Sequence, residues 1–163
     1  RLHWKILRDA SKRGYSKEKV LTILEQRKDD SVSFISVQEK HADVVFSLRN
    51  AVSLVDNLGD ENVTLDLSLF ITCSNDAYLE PFLKAVSSYV HVDYAIFDTK
   101  QHVKIHGVVT TQDNESIASL LFDQMDDITD EEVKWKGGYE GVMQIFTVYY
   151  LFEKVKLLRY GKR

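Results

Sequence analysis

From residue 63 to residue 73 the chain alternates, with Val63, Leu65, Leu67, Leu69, Ile71 and Cys73 on one side and Thr64, Asp66, Ser68 and Thr72 on the other. A strand sends successive side chains to opposite faces, so this run requires a sheet with one face in an apolar core. Residues 90–97 and 103–109 alternate as well, and the residues between them, 98–102, are too few for a crossover. Those two strands are therefore expected to be antiparallel neighbours. Between the first strand and this hairpin, Leu79, Phe82, Leu83 and Val86 repeat at helical spacing. Ser74, Asn75 or Asp76 supplies a capping oxygen, and Pro81 is tolerable because it falls near the first turn. Residues 63–110 should thus be mainly antiparallel strands with one inserted helix.

Helices are expected on both sides of that region. Asn114 is placed to cap a helix carrying Ile117, Leu120, Leu121 and Met125, and Thr129 with Glu132 has capping-box spacing for another. After Gly137 and Gly138, residues 140–159 are apolar on nearly every side, which fits either a central core helix or a subunit interface. At the other end, a helical wheel of residues 1–12 sets Leu2, Ile6 and Ala10 against Arg1, Lys5, Arg8 and Lys12. Gly14 can end that helix in a left-handed turn, and Ser16 can cap a second one with Val20, Leu21, Ile23 and Leu24. The apolar run at residues 42–46 reads as a buried strand. The segment between the polar breaks at 48–50 and 57–62 has no assignable structure. The fold class is α+β, with mixed helix and sheet.

At 163 residues the chain has the length of one ordinary domain, long enough to bury a core without a metal or a disulfide framework. The single Cys73 cannot pair within the chain, and a reducing, cytoplasmic setting is expected. No apolar run approaches the roughly 20 residues of a membrane helix, and the first thirteen residues are too polar for a signal peptide. A net charge of −4 argues against a nucleic-acid partner. The charge is uneven, however. Residues 1–30 hold nine Lys and Arg against five Asp and Glu, leaving −8 on the rest.

Lys5, Arg8 and Arg13, beside the turn at Gly14, form the most suggestive chemical group. Several cations next to a glycine turn can close over clustered oxyanions, phosphate above all, although a solvated helix face produces the same charge pattern. His91 and Asp93, with His102, Lys104 and His106, share strand faces without a recognised metal-ligand spacing, so no metal is expected there. Cys73 ends an inward-facing alternation and reads as a small buried hydrophobe. The acidic residues from Asp123 to Glu132 lack the glycine and register of a calcium loop. No phosphate-cradling G-x-x-x-x-G-K-[ST], nucleophile elbow or H-E-x-x-H pair is present, and the chain starts without Met inside a helix. The expectation is a piece of a longer protein.

The stretch Trp4-Lys5-Ile6-Leu7-Arg8-Asp9-Ala10-Ser11-Lys12-Arg13-Gly14-Tyr15-Ser16 resembles the W-K-I-x-R-D-x-x-x-R-G-[HY]-S run of phosphoribulokinases, and more loosely uridine kinases. Ile23 to Asp30 is similar to the family's I-E-x-R-K-P-D, and Val37 to Val45 to its P-Q-x-x-x-A-D-V-V. A fainter likeness at 138–146 matches the segment opening the last helix of plant-like members. The resemblance implies that residues 1–48 are the end of a kinase domain, comprising a lid helix pair and a last core strand, and that residues 49–163 are a C-terminal α+β domain.

The same resemblance implies that Arg8 and Arg13 are phosphate ligands oriented by Asp9, with Lys5 and Gly14 in the same lid. It further implies that ATP, magnesium and a sugar phosphate serve the intact enzyme, in the cytoplasm or in the plastid stroma of a phototroph. Asp30 follows Asp29 where the family has Pro-Asp, and Val37 replaces a Pro. Cys73 is alone and misplaced for the redox-controlled cysteine pair of plant-type members. No catalytic residue is expected within residues 1–163, so the piece alone should be inactive and hold no cofactor. The competing expectations are a non-catalytic assembly module whose last helix builds a homodimer, and a part of a uridine kinase.

Overall fold

The computed structural model describes residues 2–50, 59–60, 65–122 and 133–160. They divide between two compact units, Arg1–Asp43 with Asn50–Asp66, and Val44–Arg49 with Leu67–Arg163. In the first unit lie α1 (Leu2–Arg13) and α2 (Lys17–Gln26). An irregular helical stretch follows, made of α3 (Lys28–Asp30), a π-helical turn at Ser31–Ile35 and α4 (Ser36–Glu39). The helix at α1 is as expected, but its buried face is not. His3, Ile6 and Asp9 are buried while Ala10 is exposed. Apolar periodicity overlooked this face because two of its three residues are polar.

The second unit is built on a sheet with strand order β1-β2-β4-β3, formed by β1 (Val44–Asn50), β2 (Leu67–Ser74), β3 (His91–Phe97) and β4 (Lys100–His106). Strands β2 and β4 pair antiparallel from Ser68 opposite His106 to Ser74 opposite Lys100. The β3–β4 hairpin is antiparallel as expected, His91 facing His106 and Phe97 facing Lys100. Its turn is tighter than that spacing indicated, because the second strand runs from Lys100 to His106 rather than over 103–109 and leaves only Asp98 and Thr99 outside the strands, Asp98 at φ 53°. Aspartate tolerates this left-handed backbone because its short side chain can bond locally. The alternation at residues 63–73 becomes β2 from Leu67 onward, with Leu69, Ile71 and Cys73 buried. Val63 and Thr64 lie outside the described residues.

Among the described residues, three helices complete this unit: α5 (Glu80–Ser87), α6 (Thr111–Phe122) and α7 (Gly138–Tyr160). Pro81 sits in the first turn of α5 as anticipated, but Leu79 is the N-cap residue and supplies no side-chain cap. Asp76 is used elsewhere, gripping Lys154 Nζ through both oxygens at 2.6 Å. Asn114 does not cap α6 either. That helix starts at Thr111, behind a box opening four residues before Asn114 in which Thr110 Oγ1 accepts from the Asp113 N–H at 3.1 Å and Asp113 Oδ2 accepts from the Thr110 N–H at 2.8 Å. Asn114 is buried inside the helix, its amide donating to the Lys136 and Gly138 carbonyls at 2.8 and 3.0 Å. Leu120, assigned to the inner face by spacing, is exposed. Met125 and the Thr129–Glu132 box lie outside the described residues.

The core is sheet against helix. Leu69, Ile71, Val103 and Ile105 meet Phe82 and Val86 of α5, Ile117 of α6, and Val142, Ile145 and Phe146 of α7. Phe146 is the aromatic hub, edge-on to Phe82 at 5.0 Å and to Phe46 of β1 at 5.7 Å. Such edge contacts add about 1 kcal/mol to the area they bury. The first half of α7 is thus a core helix, one of the two readings its composition allowed.

Candidate functional site

The residues singled out for oxyanion binding lie on α1 and the turn after it. Gly14 stands at φ +65° with nothing within 4 Å of where a Cβ would be, so glycine is required there by backbone conformation rather than by space. Two bonds close the helix around it, Gly14 N–H to the Ala10 carbonyl at 3.0 Å and Tyr15 N–H to the Asp9 carbonyl at 3.1 Å. Ser16 then caps α2, its hydroxyl accepting from the Lys19 N–H at 3.2 Å. Lys19 returns over the Tyr15 ring, 3.9 Å from its centroid, which holds the turn from outside.

Asp9 is the anchor of the group. Its carboxylate is 4% exposed, and one oxygen, Oδ1, accepts from Arg8 Nε at 3.0 Å and lies 2.9 Å from Arg8 Nη2 and 3.7 Å from Arg13 Nη1. The two arginine side chains keep 53% and 58% of their surface in solvent. A buried acid therefore holds two exposed guanidinium groups, and two positive charges against one negative leave a surplus cation facing water. Guanidinium presents several N–H donors in a fixed plane, which suits a tetrahedral oxyanion. The structure brings Arg8, Asp9, Arg13 and Gly14 together, and Lys5 is half-buried on the same helix.

The other singled-out groups are separate. His91 Nε2 and Lys104 Nζ lie 3.0 and 3.4 Å from Asp93, and the hydrogen bond to His91, then that to Lys104, holds the Asp93 carboxyl below the usual carboxylate range. His102 and His106 each pair through Nδ1 with the hydroxyl directly across the sheet, Thr72 at 3.2 Å and Ser68 at 3.1 Å. Among the described residues no group of three or more His, Cys, Asp or Glu is arranged to hold a metal ion. Cys73 is buried, and desolvation, then the nearby Asp76 charge, pushes its thiol from 9.0 to about 11. It is a packing residue, as its place in the alternation indicated.

Sequence reasoning missed His3 and Gly59, which meet across 56 residues of chain. The signal within reach was weak. His3 precedes Ile6 and Asp9 at helical spacing, but neither polar residue counts as apolar in a periodicity.

Residues 1–54 match the Phosphoribulokinase / Uridine kinase family. Over 45 residues the chain is 44% identical to the chloroplastic phosphoribulokinase of Spinacia oleracea, a match that spans 28% of this chain and 11% of that protein. The family resemblance carried by the R-D-x-x-x-R-G run is thereby shown for the segment that contains α1, α2 and β1. No solved structure matches the chain. No described helix is long and apolar enough to cross a membrane.

Proposed function

We propose that this chain is part of an ATP-dependent sugar-phosphate kinase, with residues 1–48 forming the helix pair that closes over the phosphates. The observation carrying this reading is the clasp of one buried carboxylate on two exposed arginines, within the segment that matches the kinase family. Arg8 and Arg13 bind phosphoryl oxygens, Asp9 orients them, Lys5 adds charge, and Gly14 permits the turn. Phosphoryl transfer spreads negative charge over equatorial oxygens, so a cation that meets them in the transition state accelerates turnover. Magnesium and ATP belong, on this reading, with a phosphate-binding part of the protein outside these residues. Ribulose 5-phosphate is the acceptor the resemblance favours, with uridine the alternative. The plastid stroma is a natural location, given the chloroplastic relative.

The test is Arg13→Ala in the full-length protein, with turnover on ribulose 5-phosphate and on uridine, and the thermal midpoint measured together. An arginine that stabilises the phosphoryl transition state is worth on the order of a thousandfold in kcat, whereas an exposed arginine on a solvated helix contributes almost nothing. Arg13→Ala should therefore lower kcat steeply at an unchanged midpoint, and Arg13→Lys should recover only part. Wild-type turnover in Arg13→Ala would return the group to a solvated face.

A second reading, in which residues 49–163 act as an assembly module, draws on α7. Leu151, Val155 and Leu158 are exposed at helical spacing along it. Light scattering on the eluting protein, with and without charged substitutions at these positions, distinguishes a homodimer from a monomer.

A further inference from the structure

The buried side of α1 is a line of three residues, His3, Ile6 and Asp9. Asp9 carries the arginines, and the other two meet a single glycine far along the chain. The Gly59 N–H donates to His3 Nδ1 at 3.2 Å, and a Cβ built on Gly59 would lie 2.5 Å from Ile6 Cγ2. Gly59 also stands at φ +85°, a conformation that disfavours any side chain. Three requirements coincide at this one position: left-handed backbone, no Cβ, and an N–H aimed at an imidazole. His3 is only 6% exposed and accepts through Nδ1, so its ring proton belongs on Nε2.

An α-helix rises about 1.5 Å per residue and is stiff over two turns, so fixing residues 3 and 6 also fixes where residue 9 points. We propose that His3 and Gly59 form a seat that sets the orientation of α1, and through Asp9 the direction in which Arg8 and Arg13 present their donors to phosphate. His3 is thus a positioning residue. The proposal rests on the kinase reading above and adds to it a distant residue on which the clasp depends. Reaction geometry is unforgiving, since a displacement of about 1 Å in a positioning group can cost a hundredfold in rate.

The experiment is a double-mutant cycle in the full-length protein, with kcat, KM for ATP and the thermal midpoint measured for His3→Phe, His3→Asn, Arg13→Ala and the His3→Phe/Arg13→Ala pair. Phenylalanine fills the space without an acceptor, while the asparagine side-chain oxygen can take the place of Nδ1. His3→Phe should lower kcat by about tenfold at little change in KM, and His3→Asn should restore most of it. On top of Arg13→Ala, His3→Phe should cause a smaller further loss than it does alone, because only Arg8 is then left to misplace. Wild-type kcat in His3→Phe, or a full additive loss in the pair, overturns the seat while leaving the arginine reading intact. If Arg13→Ala itself keeps wild-type turnover, the arginine reading fails and the seat has nothing to orient. Gly59→Ala with Ile6→Ala supplies a second route, since removing the Ile6 side chain relieves the clash. That pair should recover more kcat than Gly59→Ala alone, and no recovery counts against the seat.

Discussion

At the scale of single residues, the molecule separates groups that face water from groups kept from it. Arg8 and Arg13 are exposed cations tied to a buried acid, which makes them available for chemistry at small folding cost. Cys73 is the opposite case, a thiol held at about 11 by burial. A shift from 9.0 to about 11 leaves the folded protein with about a hundredfold less thiolate near neutral pH. Alkylation of Cys73 by iodoacetamide at pH 8 should therefore be at least that much slower in the native protein than in urea-unfolded protein, read by mass spectrometry. The sign for stability follows from the same shift. Below pH 9 the thiol is protonated in both states and contributes no pH dependence, whereas between 9 and 11 the unfolded chain ionises first and stability falls. Equal alkylation rates in the two states would contradict the burial.

At the scale of elements, the helix ends show which local signals survive in the fold. Ser16 does what its position after Gly14 indicated, accepting from Lys19 at the start of α2. Replacing Ser16 by Ala should cost about 1 kcal/mol, the usual value of a lost N-cap, and shift the unfolding midpoint in urea without changing the slope. A variant with an unchanged midpoint would mean that Val20, fully buried in α2, holds the helix without help. Asn114 shows the opposite outcome. Its residue type marks a cap, but Thr110 and Asp113 had already formed one, and the amide went inward to close the gap between α6 and the first turn of α7. Gly141 leaves room for that arrangement, because a Cβ there would collide with the Asn114 amide and the Lys136 carbonyl.

At the scale of the whole molecule, stability in the sheet unit concentrates on α7. Phe146 touches β1 and α5 at once, and full burial gives it no room to relax. Phe146→Ala should cost about 3–5 kcal/mol, since it loses both transfer energy and the packing of a cavity. Leu158→Ala, at a residue 86% exposed on the same helix, should change stability by less than about 0.5 kcal/mol. Denaturant unfolding of the two variants side by side checks the contrast. A small loss for Phe146→Ala would place the core elsewhere.

Much of this architecture was legible before any coordinates. The period-two runs led to β2 and β3 and to the second half of β4, the short gap required an antiparallel hairpin, and the R-D-x-x-x-R-G run marked both the helix end and the paired arginines. These features were readable because periodicity, turn geometry and capping act over a few residues, within reach of backbone sterics and single hydrogen bonds. What could not be read is where distant pieces meet: β2 beside β4 rather than beside β3, Asp76 on Lys154, Asn114 on the Lys136 carbonyl, and His3 on Gly59. Each of these joins residues more than twenty positions apart. Such contacts are selected by the sum of many small packing and hydrogen-bond terms over the folded chain, and no local pattern encodes that sum.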